Sequence, residues 1–141
     1  MNRAEIKTYL PHREPMLLID NVVVDENKIA HANYYVTGDE FFLQGHFPGN
    51  PVVPGVIICE IMGQACSLLI GDQLIGRTPF YAGLDKVRFK RQVKPKDNIE
   101  ITARITDQRG LIFFVEAEAR VDGELCTKGN LSFALVDNDK L

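Results

Sequence analysis

Apolar and polar positions alternate with a period of two over much of the second half of the chain. Ile99, Ile101, Ala103 and Ile105 interleave with Glu100, Thr102, Arg104 and Thr106, and Leu111, Phe113, Val115, Ala117, Ala119 and Val121 share one side of the next stretch. This alternation predicts antiparallel strands over 98–106 and 111–121, each with one covered face. Asp122-Gly123 is a strong hairpin signal, and 124–136 pairs back across it. Upstream, 16–24 is dominated by Leu, Ile and Val, while 28–36 is rich in β-branched and aromatic residues. Both read as strands, with Asp25-Glu26-Asn27 as the turn between them, and 80–84 reads as a further strand. A short helix at 4–10 closes at Pro11.

Two segments break this pattern. From 55 to about 75 the spacing becomes helical: Pro54 precedes the run, Val56, Ile57, Ile61, Met62, Leu68 and Leu69 supply apolar positions, and Gly76 can end it. Apolar residues occupy nearly every face, so the helix is expected to be buried all round. Pro54, Glu60, Gly63, Gln64 and Ser67 interrupt it too often for a membrane span. The segment before it, FFLQGHFPGNPVVPG at 41–55, holds three prolines and three glycines among aromatic and aliphatic residues. It is too apolar to lie in water and too broken for a strand, which predicts a loop tucked against the core. The fold class that follows is α+β: a curved antiparallel sheet wrapped around one long central helix.

The chain has 141 residues, 45% hydrophobic and 25% charged, with a net charge of −3. That fits one domain over 1–141 and excludes a disordered or collagen-like chain. Nothing in the charge suggests nucleic acid as a partner. No secretory signal is visible, so a cytoplasmic location is expected. The total conceals an asymmetry, because 86–96 reads KVRFKRQVKPK, with six Lys or Arg and no acid. Such a stripe suits an acidic partner, or equally a solvated strand edge whose cations discourage aggregation. Cys59 and Cys66 lie about 10 Å apart along one helix, too far for a disulfide. Three scattered thiols do not make a zinc site either, and they read as small core residues.

Glu60 stands out, because it lies in VIICEIM, the most apolar stretch of the chain. A carboxylate there should shift toward its neutral form or face a partner. Glu60, Gln64 and Ser67 share one helix face. Such a stripe either lines a cavity or ties the helix to its neighbours through internal hydrogen bonds. His46 lies in the apolar loop fourteen residues before Glu60. Held beside a buried carboxyl, its imidazole would complete an acid/base pair. Gly55 opens the helix, where free N–H groups and the positive dipole end favour an oxygen gaining negative charge. Base, acid and oxyanion donor around one helix start describe proton abstraction next to a carbonyl.

On these residues the chain resembles the 3-hydroxyacyl-acyl-carrier-protein dehydratases of type II fatty-acid synthesis, the FabZ type. The likeness runs through LPHREPMLLID (10–20), FFLQGHFPGNPVVPGVIICEIMGQA (41–65) and FYAGLDKVRFKRQVKPKD (80–97). Gly63 and Cys66 depart from it, standing where many members carry alanine. The resemblance implies the hot-dog fold and a homodimer whose two sheets join, usually gathered into a hexamer as a trimer of dimers. Each active site would combine His46 of one chain with Glu60 of the other. The implied substrate is a (3R)-hydroxyacyl group on the phosphopantetheine arm of acyl carrier protein, dehydrated to the trans-2-enoyl thioester without metal or organic cofactor. His46 would remove the C2 proton while the Gly55 N–H polarises the carbonyl. Glu60 would serve the leaving hydroxyl, with Gln64 orienting it.

Phe80 stands where members carry an aromatic gate to the acyl tunnel, though plain core packing would place a Phe there as well. Arg88, Lys90, Arg91, Lys94 and Lys96 would steer the acidic carrier protein, and alternation puts only some of them on one face. His12 and Arg13 match the family pattern and are read as structural, and His31 carries no expected role. Two rival functions remain: a hot-dog thioesterase, which gives the His46 loop no role, and a non-catalytic acyl-binding module, which leaves an acid/base pair unexplained.

Overall fold

A computed structural model describes Met1–Leu141. Its strands are β1 (Asn21–Val24), β2 (Ala30–Tyr35), β3 (Arg77–Phe89), β4 (Asn98–Arg109), β5 (Ile112–Val121) and β6 (Glu124–Asp137). They form one six-stranded sheet in the order β1-β2-β4-β5-β6-β3, with every pairing antiparallel. The alternating segments behave as their pattern requires. Ile99, Ile101 and Ala103 of β4 and Phe113, Val115, Ala117, Ala119 and Val121 of β5 are buried, while their polar neighbours face outward. Asp122 (φ 50°) and Gly123 (φ 80°) both take positive φ, the requirement of the tight turn that joins β5 to β6.

Against the inner face lies α2 (Gly55–Gln64), packed on β4, β5 and β6. Ile61 and Met62 are fully buried there, each worth about 1.5–3 kcal/mol of apolar burial. The helical run is not one rod, as its pattern suggested. After α2 the Cys66 N–H bonds back to Gly63 rather than one residue earlier, and a short α3 (Ser67–Ile70) follows. Gly71 then turns to φ 62° and leads into a 3-10 turn ending at Leu74. Nor is the run buried all round: Val56 is 71% exposed, and Leu68 and Leu69 are half-buried. The span Gly55–Leu74 has the length and apolarity to cross a membrane, but half of it is buried inside the protein, as suits a core helix.

Three other elements differ from expectation. Leu17, Leu18 and Ile19 are buried without joining a strand, because the Leu18 N–H bonds to the Gln64 side chain instead of a neighbouring strand. The N-terminal helix is shorter, α1 (Arg3–Ile6), held by an Asn2–Glu5 capping box. Strand β3 is far longer than 80–84. Its period of two is hidden by bulges between Tyr81 and Gly83 and between Asp85 and Arg88. Being an edge strand paired only with β6, it tolerates Pro79. Its free edge exposes Phe80, Leu84 and Phe89.

Candidate active site

Helix α2 begins at Pro54, whose side chain cannot cap it, and the N–H groups of Gly55 and Val56 have no acceptor within the chain. Those two donors and the dipole make the helix start a place for an oxygen gaining charge. Glycine leaves room here for the Phe89 side chain. A Cβ on Gly55 would come within 2.7 Å of the Phe89 ring, which lies over the first turn.

His46 sits in the loop that leads into this helix. The loop is closed by the Val52 N–H donating to the His46 carbonyl at 2.9 Å. Nδ1 of His46 lies 2.8 Å from the Val52 carbonyl oxygen. A carbonyl only accepts, so Nδ1 carries the hydrogen, and in the neutral ring the lone pair is on Nε2. The ring stacks on Phe47 with centroids 4.2 Å apart. The imidazole is therefore fixed in tautomer and plane, with its basic nitrogen free.

Glu60, one and a half turns into α2, lines a cavity of about 40 Å³. Its polar wall is His12, Glu60, Gln64, Ser67 and Tyr81, and its apolar wall is Leu10, Ile70, Leu74, Pro79 and Phe133. The polar stripe read from helical spacing thus faces one cavity. Gln64 orients the carboxyl. Its Oε1 accepts from the Leu18 N–H at 2.7 Å, which fixes the amide, and its Nε2 donates to the Met16 carbonyl and to Glu60 Oε2, both at 2.8 Å. The residue judged structural, His12, lies beside the same oxygen, with Nε2 3.2 Å from Glu60 Oε2. Glu60 therefore faces two partners rather than none.

Within one chain the structure brings Glu60, Gln64 and His12 together, while His46 does not line their cavity. Phe80 does not line it either and is 47% exposed, whereas the adjacent Tyr81 does. Tyr81 donates its hydroxyl to the Cys59 carbonyl, tying β3 to α2. Burial, and then the nearby Glu60 charge, push its phenol far above the usual range, so it remains a neutral donor. It also explains Gly63. A Cβ there would collide with the Tyr81 hydroxyl. Gly63→Ala should cost about 1–3 kcal/mol of stability in chemical denaturation, and Tyr81→Phe in the same chain should recover part of it by removing the colliding oxygen.

The cysteines are free and buried, with the Cys66 thiol pushed up to about 12 by burial, so it stays a protonated core group. No three His, Cys, Asp or Glu side chains are placed to hold a metal ion. The basic run is divided. Arg88 stands opposite Lys128 in register and lines an outer-face groove with Lys86 and Arg104, while Lys90, Lys94 and Lys96 are exposed. Arg91 is engaged with Glu124 at 2.9 Å and Asp97 at 3.7 Å. His31 is exposed and paired with Asp25.

A sheet wrapped on one helix, with a held carboxyl lining a small cavity between them, defines a hot-dog-fold protein. Solved structures share that architecture. The dehydratase heterocomplex ApeI:P from Xenorhabdus doucetiae superposes with a TM-score of 0.82 over 95% of this chain and 92% of that one, at 22% identity. The fluoroacetyl-CoA-specific thioesterase FlK gives 0.68 over 86% and 93%, at 16% identity. At those identities the likeness is one of fold. Sequence is more specific: the FabA-like domain matches residues 10–130. The 3-hydroxyacyl-[acyl-carrier-protein] dehydratase FabZ of Clostridium perfringens is 47% identical over 96% of this chain and 99% of its own length. That of Caldicellulosiruptor bescii is 46% identical over 95% and 98%. The chain belongs to the FabA-like family and, within it, to the FabZ-type 3-hydroxyacyl-[acyl-carrier-protein] dehydratases.

Proposed function

We propose that this protein removes water from (3R)-3-hydroxyacyl groups carried on acyl carrier protein, giving the trans-2-enoyl thioester, in cytoplasmic fatty-acid biosynthesis. The observation that carries this reading is near-full-length identity, at 47%, to a protein bearing that enzyme's name. The geometry supplies suitable groups. The Gly55 N–H, without an acceptor in the chain, polarises the thioester carbonyl and acidifies C2. His46, its Nδ1–H spent on Val52, takes the C2 proton at Nε2. Glu60 serves the 3-hydroxyl, a poor leaving group until protonated. This scheme uses neither metal nor organic cofactor.

The working pair forms across a homodimer, with His46 of one protomer meeting Glu60 of its partner. The open edge of β3, with exposed Phe80, Leu84 and Phe89, suits pairing with a second copy. Three such dimers make the hexamer. Phe80 would then gate the acyl tunnel where the edges meet. Acidic acyl carrier protein docks on the uncommitted cations Arg88, Lys90, Lys94 and Lys96, with Arg91 the least available because two acids hold it.

The test is mass spectrometry of 3-hydroxyacyl carrier protein incubated with the protein. Loss of one water is expected, and His46→Ala should slow it about 10²- to 10⁴-fold while the oligomer persists. Release of free thiol instead would replace this reading with a thioesterase, and bound but unchanged substrate with a binding module.

A further inference from the structure

We infer that His12 is a positioning residue which, together with Gln64, reserves one particular oxygen of Glu60, Oε1, for proton transfer. The inference rests on the dehydratase reading for its chemistry, but its geometry stands alone. Oε2 receives the Gln64 Nε2–H at 2.8 Å, and the direction of that bond is fixed because the Leu18 N–H occupies the other end of the amide. The same oxygen lies 3.2 Å from His12 Nε2.

The His12 tautomer follows from its other nitrogen, since Nδ1 is buried without a partner. A hydrogen there would be a buried, unsatisfied donor, which costs more than a bare lone pair. The hydrogen therefore sits on Nε2, the nitrogen that lies 3.2 Å from Oε2. With the Gln64 amide donating to it and the His12 Nε2–H against its other side, Oε2 is the crowded oxygen and the poorer place for a proton. Oε1 accepts from no protein group, so the proton of a neutral Glu60 resides on Oε1.

The elimination then balances. The C2–H electron pair becomes the C2=C3 bond as its proton moves to His46 Nε2. The C3–O bond breaks toward oxygen, Oε1–H supplies the proton, and water leaves. A proton passing back from the imidazolium to the carboxylate through solvent resets the pair. His12 itself is held by its neighbour. Arg13 curls back so that Nη1 donates to the Leu10 carbonyl at 2.9 Å and the His12 carbonyl at 2.7 Å, setting the backbone from which His12 reaches the helix.

The test uses His12→Ala, His12→Gln and His12→Asn in the full-length protein. A Gln amide nitrogen occupies nearly the place of imidazole Nε2, whereas an Asn amide reaches only the place of Nδ1. His12→Ala should lower kcat about 10- to 100-fold with KM within about twofold of wild type. His12→Gln should recover most of the loss and His12→Asn little. A purely structural His12 would instead give Gln and Asn the same effect, in step with the fall in Tm, and that result overturns the inference. So does wild-type kcat in His12→Ala. The second readout is the Glu60 carboxyl infrared band, assigned by difference from Glu60→Gln and recorded without substrate. It should shift in His12→Ala and return in His12→Gln; an unmoved band overturns the inference whether or not the wild-type protein dehydrates anything. Absence of wild-type turnover alone counts against the dehydratase reading.

Discussion

Glu60→Ala is expected to lower kcat for water elimination by about 10²- to 10⁴-fold, the usual weight of a positioned acid in proton transfer. Glu60→Gln should lose nearly as much. The amide keeps the size of the carboxyl and still offers an oxygen to Gln64 and His12, but it has no acidic proton to give. The pair of variants thus separates proton delivery from packing. Stopped assays on the purified oligomer, with Tm measured beside them, supply the check. A Glu60→Gln protein turning over within tenfold of wild type would remove Glu60 from the chemistry.

The second large effect is a gain. His46→Ala and Glu60→Ala, each nearly inactive alone, should regain about a quarter of wild-type activity when unfolded together in equal amounts and refolded. Random pairing about a two-fold axis makes half the dimers mixed. In each mixed dimer one site carries both lesions and the other carries neither. The regained activity should vanish when the two proteins are mixed without subunit exchange. A site built wholly within one chain would show no recovery under either procedure.

What the sequence disclosed depended on how local the physics was. Strands β4 and β5 were legible because apolar and polar residues alternate along them with one covered face, and the Asp122-Gly123 turn showed that β6 pairs back on β5, though not the register shift at Ala119/Arg120. Glu60 and Gln64 were legible as polar groups in a greasy helix, and their spacing does bring them together. His12 was not, since nothing in the short irregular segment around it says which distant group it meets. Tyr81 could have been found. Adjacent strand residues point to opposite faces, so an outward Phe80 implies an inward Tyr81. The bulge that follows obscured where the strand ended. The turn out of α3 hangs on Gly71 taking a positive φ, which composition alone does not dictate.

The unpaired flank of β3 has a consequence for how abundance governs rate. If that thirteen-residue strand is where two copies join, separated subunits possess an imidazole and a carboxyl but no complete reaction centre. Turnover per molecule would then fall on dilution, steeply below the subunit dissociation constant, and recover on reconcentration. A cell making less of this polypeptide would lose flux faster than it lost protein.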